Sequence, residues 1–230
     1  MKELLNLLDE LYASLSPDII KKLAEALEKA RLSDEEALEV AKRLITVLDG
    51  LENALLRVNA PELGKLLADA SLKFLKRYND RRFRVYEAFV YLFLSNLAID
   101  RLENLRKAYE TVKLADPKDP LYAYILTRSG IQLVKRYEVH NRLEEAKRLS
   151  KEILELLREA NLELVRGDSN ILVFAARLIA IGFEDKELIR EILENIGFIS
   201  NDRLVAPSFV AAMFMKDLTN LAKALGLKFP

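Results

Sequence analysis

Residues 33–58 read SDEEALEVAKRLITVLDGLENALLRV, and this stretch decides the fold class. Its apolar residues recur at alternating intervals of four and three; they are Ala37, Ala41, Leu44, Leu48, Leu51, Leu55 and Val58. An average spacing of about 3.5 residues places them along one helix face, which we call the seam, and suits packing on an antiparallel helix at about 20°. Ser33 and Glu36 have the spacing of a capping box at the start of this helix. Gly50 interrupts the seam, and we expect the helix to bend there.

The same helical periodicity continues on both sides of the seam. Capping residues, prolines and glycines divide the chain into ten or eleven helices, joined by short connections except for a longer loop near 198–207. No segment alternates with a period of two, so the sequence predicts an all-α fold with no β-sheet. Short connections make successive helices antiparallel hairpins, which either close as a helical bundle or stack as an α-solenoid. We expect a single domain over 1–230, with a sub-boundary near 116–120 that separates 1–116 from 117–230.

The residues before this sub-boundary resemble a known repeat. Ala108-Tyr109 is followed by Ala115-Asp116-Pro117, and Pro120 begins the next predicted helix. This arrangement resembles the end of a tetratricopeptide motif, in which an aromatic residue stands eight positions before the closing proline. The resemblance covers one repeat and implies a tetratricopeptide-like helical-hairpin fold. The tryptophan and Leu-Gly positions of that family are not matched, so no binding residue is carried over from it.

Charge and composition narrow the classes of function. Lysine plus arginine and aspartate plus glutamate number 36 each, so the overall charge favours no polyanionic partner. Residues 1–59 carry 8 basic and 12 acidic groups, whereas residues 60–113 carry 11 and 7. This asymmetry is typical of an acidic face that packs on a basic one. The chain has no cysteine, which excludes disulfides and thiolate metal sites.

The apolar stretches indicate no membrane segment and no targeting signal. Glu3, Asp9 and Glu10 interrupt the first apolar region, which is therefore not expected to be a signal peptide. The longest apolar stretch, Val85–Ile99, is too short and too polar to span a bilayer. We expect a cytoplasmic protein with no membrane partner, and we expect Val85–Ile99 to form a central core helix.

One cluster of positive charge is the main candidate for a binding site. Six basic residues fall within twelve positions; they are Lys73, Lys76, Arg77, Arg81, Arg82 and Arg84, which we call the basic segment. Tyr78 and Phe83 lie among them. Basic groups near a helix start can hold phosphates and aromatic rings can stack on bases, so an anionic partner is one interpretation. Ion pairs with the acidic N-terminal helices would give the same pattern.

Catalytic and metal-binding patterns are sparse. The single histidine, His140, has tyrosine rather than glutamate three residues before it, and there is no second histidine for a metal site. We expect a helix-terminal histidine, no metal and no cofactor. Acidic residues such as Glu144 have i,i+4 basic partners on a solvated helix face. A carboxylate site assembled from separate helices would not be visible in the sequence.

Two helices near the C-terminus carry unusually few charges. Ile171–Phe183 contains Arg177 as its only basic residue, and Val205–Met215 contains no charge. Such helices need cover on every side, either inside the chain or in a subunit contact. We expect a homodimer contact in this region, with Phe209 and Phe214 as the residues that test it.

The leading hypothesis for function is a non-enzymatic helical-repeat scaffold or adaptor that mediates protein–protein interaction. It depends on the architecture and on the lack of a recognisable catalytic motif. A nucleic-acid-associated protein that uses the basic segment is the first alternative. A carboxylate-dependent enzyme is the second.

Overall fold

The computed structural model describes residues 1–230, which form eleven α-helices and one short β-hairpin. The predicted all-α class is confirmed. The chain divides into two compact units, Met1–Asp116 and Pro117–Pro230. No helix is both long enough and apolar enough to cross a membrane.

The first unit contains six helices. They are α1 (Lys2–Ala13), α2 (Pro17–Lys29), α3 (Asp34–Arg57), α4 (Pro61–Leu75), α5 (Arg84–Asn96) and α6 (Arg101–Val112). A 3-10 turn, Arg81–Phe83, leads into α5. Helix α5 packs against α3, α4 and α6, and α2 packs against α1 and α4. Every residue of α5 from Val85 to Ser95 is buried, which confirms the predicted core helix, although the helix ends at Asn96 and not at Ile99.

The seam forms most of the buried face of α3. Ser33 caps this helix, and its capping box with Glu36 is present. All seam residues from Ala37 to Leu55 are buried, in contact with α1, α4 and α5. Val58 is wrongly included in the predicted seam: it ends the helix outside the helical region, at φ −88° and ψ 3°, and is 58% exposed. Gly50 lies within α3, which continues from Asp34 to Arg57, and the expected bend there stays a prediction.

The second unit contains five helices and the hairpin. They are α7 (Pro120–Val139), α8 (Leu143–Arg158), α9 (Ser169–Ala180), α10 (Lys186–Asn195), β1 (Ile199–Ser200), β2 (Arg203–Leu204) and α11 (Ser208–Ala224), with a 3-10 turn at Glu163–Val165. Helix α7 packs on α8, α8 packs on α10, and α9 packs on α10 and α11. In the second unit, the pair α7–α8 therefore contacts the pair α9–α10 through α8 and α10.

Two ion pairs join α7 to α9. Arg128 pairs with Asp168, the N-cap of α9, at 3.3 Å, and Glu138 pairs with Arg177 further along both helices. Because both pairs advance in the same direction along the sequence, α7 and α9 run parallel. No local spacing in the sequence predicts these pairs, since the partners are about 40 residues apart.

A two-stranded hairpin is the one exception to the prediction of no β-sheet. Strands β1 and β2 pair antiparallel, Ile199 with Leu204, in the loop near 198–207. Asn201 and Asp202 form the two-residue turn with φ values of 50° and 56°. Asparagine and aspartate tolerate this left-handed conformation, which two-residue hairpins of type I′ require. The strands are too short to show the alternation by which strands are recognised.

Candidate interaction surfaces

The basic segment begins in the last turn of α4 and ends at the first residue of α5. Its six basic side chains all have polar or charged partners within the first unit. These partners fall into three groups: the end of α2, the ends of α3 and α6 near the turn, and a buried carboxylate on α5.

Two residues at the end of α4 hold the end of α2. The Lys73 ammonium donates to the Glu28 carboxylate at 2.8 Å. This bond raises the pKa of Lys73 and lowers that of Glu28. The Arg77 guanidinium donates to the carbonyl oxygens of Leu27, Glu28 and Ala30. The last carbonyls of a helix lack intrahelical donors and carry partial negative charge, so Arg77 caps α2.

The turn itself is fixed by two arginines. Arg81 donates to the carbonyls of Leu114 and Ala115, just beyond the end of α6. Arg82 forms ion pairs with Asp80 and with Glu35 in the first turn of α3. Hydrogen bonds to these two carboxylates raise the pKa of Arg82. The turn between α4 and α5 is therefore bound to the start of α3 and to the residues that follow α6.

The remaining two basic residues surround Glu87, the one buried charged residue in the protein. Arg84 donates to the Glu87 carboxylate at 2.7 Å, and Lys76 lies 3.9 Å from it. Lys76 also donates to the hydroxyl of Tyr91 at 2.8 Å. A carboxylate buried without a partner would be costly, and these two cations are the partners that Glu87 has.

The aromatic residues of the basic segment are not available for stacking on a nucleic-acid base. Tyr78 and Phe83 stack on each other with ring centroids 4.7 Å apart, and both are buried. The acidic stretch 1–59 and the basic stretch 60–113 thus contact each other within the first unit. Lys73 pairs with Glu28, and Arg82 pairs with Glu35. Positive charge in this segment is largely compensated by intramolecular contacts.

The first half of α11 presents a different surface. Phe209 is 65% exposed and Met213 is 72% exposed, and Ala212 beside them is also exposed. Positions 209, 212 and 213 share one helix face, which Lys216 and Asn220 continue as a polar surface. We call Phe209, Ala212 and Met213 the α11 stripe. Val205 and Met215, at its edges, are also exposed.

The other side of α11 faces the core of the second unit. Val210, Leu218 and Leu221 are buried, and Phe214 is half-buried on their side of the helix. Phe214 has φ −125° and ψ 26°, so α11 bends there, although neither proline nor glycine lies at the bend. Of the two predicted contact residues, Phe209 lies in the stripe and Phe214 does not.

Helix α9 corresponds to the other charge-poor segment and is covered within the chain. Its buried residues include Ile171, Leu172, Phe174 and Leu178, and it packs on α11. The expectation of a subunit contact therefore applies to α11 and not to α9. The sequence signal for the difference is the spacing of Phe209 and Met213, four residues apart on the face that continues into Lys216.

The remaining polar features form no recognisable catalytic arrangement. His140 is an exposed C-cap of α7, as predicted. No group of three or more histidine, cysteine, aspartate or glutamate residues is placed to hold a metal ion. A groove of about 380 Å³ between α1 and α2 is lined by residues of both charges, among them Glu3, Lys22 and Arg31.

Comparisons with known proteins identify no relative. The chain matches no protein-family model, and no curated protein or solved structure is significantly similar to it.

Proposed function

We propose that this protein is a non-enzymatic helical scaffold or adaptor, and that the α11 stripe binds a helix of a protein partner. The observation that carries the proposal is the exposure of Phe209 and Met213 side by side on one helix face. Large apolar side chains grouped on a surface gain free energy when a partner removes them from water.

An amphipathic helix is the partner element that fits this surface. The stripe is convex and follows a helix, so a second helix packs along it with its side chains between Phe209 and Met213. Ala212 lies between the two larger residues and allows close approach of the helix backbones. The polar continuation at Lys216 and Asn220 sets where the apolar contact ends.

The arrangement of the second unit supports a helical-repeat scaffold. Hairpins α7–α8 and α9–α10 are joined through α8 and α10, and α7 runs parallel to α9. Stacked hairpins of this kind present successive helices on one side, as repeat proteins do when they hold partners. The tetratricopeptide-like fold that Tyr109 to Pro117 suggests, where the first unit ends, remains a proposal.

The nucleic-acid alternative receives less support from the contacts. It needs the basic segment to neutralise phosphates, yet its side chains bind carboxylates and helix-terminal carbonyls. A phosphate backbone would have to displace these contacts. No observation favours a carboxylate-dependent reaction over partner binding.

A pull-down from native lysate tests the proposal. The bait proteins are the wild type, the double variant Phe209→Glu/Met213→Glu, and Asn220→Glu as a control on the same exposed face. We expect a protein that the wild type and the control retain, that the double variant loses, and that nuclease treatment leaves bound. Retention by the double variant, or loss on nuclease treatment, would contradict the proposal.

A further inference from the structure

We propose that the helix bound by the α11 stripe is α11 of a second copy of this chain, paired antiparallel about Met213. This inference rests on the proposed function and names its partner, so the protein that the stripe retains from lysate is then another copy of this chain. It is carried by the charge pattern of the helix and by the register in which two copies of that pattern match.

The charges on and around α11 allow a self-complementary contact. Residues 208–215 carry no charge, and the next two residues, Lys216 and Asp217, have opposite signs. A face with charges of one sign only would repel its own copy, whereas this face carries both. The whole chain is also electrically balanced, so no net repulsion opposes the association of two copies.

The register of the two paired helices follows from the groups that the start of α11 lacks. Helix α11 begins without a side-chain cap and has no acidic residue in its first turn. Antiparallel pairing about Met213 brings Asp217, four residues after Met213, towards Phe209 of the second copy, four residues before Met213; the bend at Phe214 lies between Met213 and Asp217. A carboxylate near the positively polarised start of a helix is stabilising, and the two-fold axis makes the same contact twice.

Parallel pairing lacks this advantage. It places Asp217 beside Asp217 of the second copy and leaves the first turn of α11 without an acidic group. In the antiparallel arrangement the two apolar stripes overlap, and each Lys216 extends its methylene groups along the edge of the contact. The apolar residues exposed in one copy are therefore covered by the other.

Single-cysteine cross-linking tests the register, since the native chain has no cysteine. In Met213→Cys the two thiols meet at the axis, and mild oxidation should convert most of the protein to a covalent dimer. In the control Asn220→Cys the thiols are separated by about 20 Å along the helices, at about 1.5 Å per residue, and should remain free. Cross-linking at both positions indicates parallel pairing and overturns the proposal, as does no cross-link at Met213→Cys.

Light scattering of the unmodified chain provides a second measurement. At tens of micromolar we expect twice the monomer mass for the wild type and Asn220→Glu. We expect the monomer mass for Phe209→Glu, with helicity unchanged by circular dichroism. Asp217→Asn should weaken the dimer about three- to thirtyfold, because both symmetry-related contacts with a helix start are lost. A monomeric wild type overturns the dimer.

The two proposals fail in distinguishable ways. If the wild type is monomeric but its lysate partner still requires Phe209 and Met213, the stripe binds a different protein and only the second-copy inference is wrong. If the wild type is dimeric and Phe209→Glu does not dissociate it, the stripe is not the interface. That result contradicts both proposals when the lysate partner is also retained.

Discussion

Two glycines inside helices have opposite surroundings. A Cβ at Gly64 would lie 2.3 Å from Leu97 Cδ1 and 3.0 Å from Leu55 Cδ1, both in the core of the first unit. At Gly50 the nearest atom would be Tyr12 Cε2 at 3.8 Å, an ordinary contact. Gly64 therefore permits close packing of α4 in the core, while a methyl group at Gly50 would fit on the surface of α3 without a clash.

Alanine substitution should separate these two roles. Gly64→Ala should lower the free energy of unfolding, because overpacking costs about 1–3 kcal/mol and exceeds the helix-propensity gain of about 1 kcal/mol. Gly50→Ala should raise it by about 0.5–1 kcal/mol, since only the propensity changes. Urea titration measures both values. A stabilised Gly64→Ala would show that Leu97 and Leu55 relax without cost.

Ionisation of the single residue Glu52 makes the stability of the protein depend on pH. It is half-buried and accepts a hydrogen bond from Asn96 at 2.9 Å. Burial raises the pKa of its carboxyl group, and the nearby charge of Asp49 acts in the same direction. A raised folded-state pKa means that the folded state binds a proton more tightly than the unfolded state does. The contribution of Glu52 is therefore favourable at low pH and is lost as pH rises through its folded pKa.

Glu52→Gln should remove this dependence while it keeps an acceptor for Asn96. The free energy of unfolding of the variant minus that of the wild type should increase from about pH 4 to about pH 7, the interval in which the wild-type carboxyl ionises. Urea titration at both pH values measures the difference. Equal differences at the two pH values would show that ionisation of Glu52 does not affect folding.

At the scale of the element, the seam shows how far local spacing specifies packing. Leu44 and Leu48 are fully buried on α3, whereas Val58, which continues the same spacing, is exposed beyond the helix end. The spacing of the apolar residues is a property of the sequence, but the residues that follow it are buried only as far as the helix extends.

Truncation within the seam should therefore be costly only before that end. Leu44→Ala or Leu48→Ala should each destabilise the protein by about 2–5 kcal/mol through lost burial and a residual cavity. Val58→Ala, the matched control, should stay within about 0.5 kcal/mol of the wild type. Chemical denaturation gives all three values. Losses below about half a kcal/mol for both leucine variants would place the seam in solvent.

The ion pair between α7 and α9 is a second property of paired elements. The Glu138 side chain is 9% exposed and pairs with Arg177, so removal of the arginine leaves a nearly buried carboxylate without its cation. Arg177→Met should cost about 1–3 kcal/mol. Adding Glu138→Gln should recover part of this loss, because the uncompensated charge is then absent. Strict additivity of the two changes in a double-mutant cycle would mean that the pair contributes no coupling.

At the scale of the whole molecule, the basic segment has a structural role that its sequence alone does not reveal. Arg77 holds the end of α2, Arg81 holds the end of α6, and Arg82 holds the start of α3. Positive charge that fits a polyanion in the sequence is directed in the fold towards carbonyls and carboxylates of the same unit.

The triple variant Arg77→Ala/Arg81→Ala/Arg82→Ala should accordingly lose stability. We expect its melting temperature to fall by at least about 4 °C, because three helix ends lose their side-chain donors together. We expect the wild type to bind duplex DNA more weakly than micromolar at physiological salt. Sub-micromolar binding that weakens steeply with salt and is lost in the triple variant would instead favour the nucleic-acid alternative.

The sequence by itself determined the helical class, the cap of α3 and the identity of the core helix α5. These depend on interactions between residues three or four positions apart, such as Ser33 with Glu36, which local spacing specifies. The tertiary structure alone decided that Arg77 caps α2, that α9 is covered, and that Phe209 is exposed. Each of these outcomes depends on which distant segment packs against a residue, and neither periodicity nor composition encodes that choice.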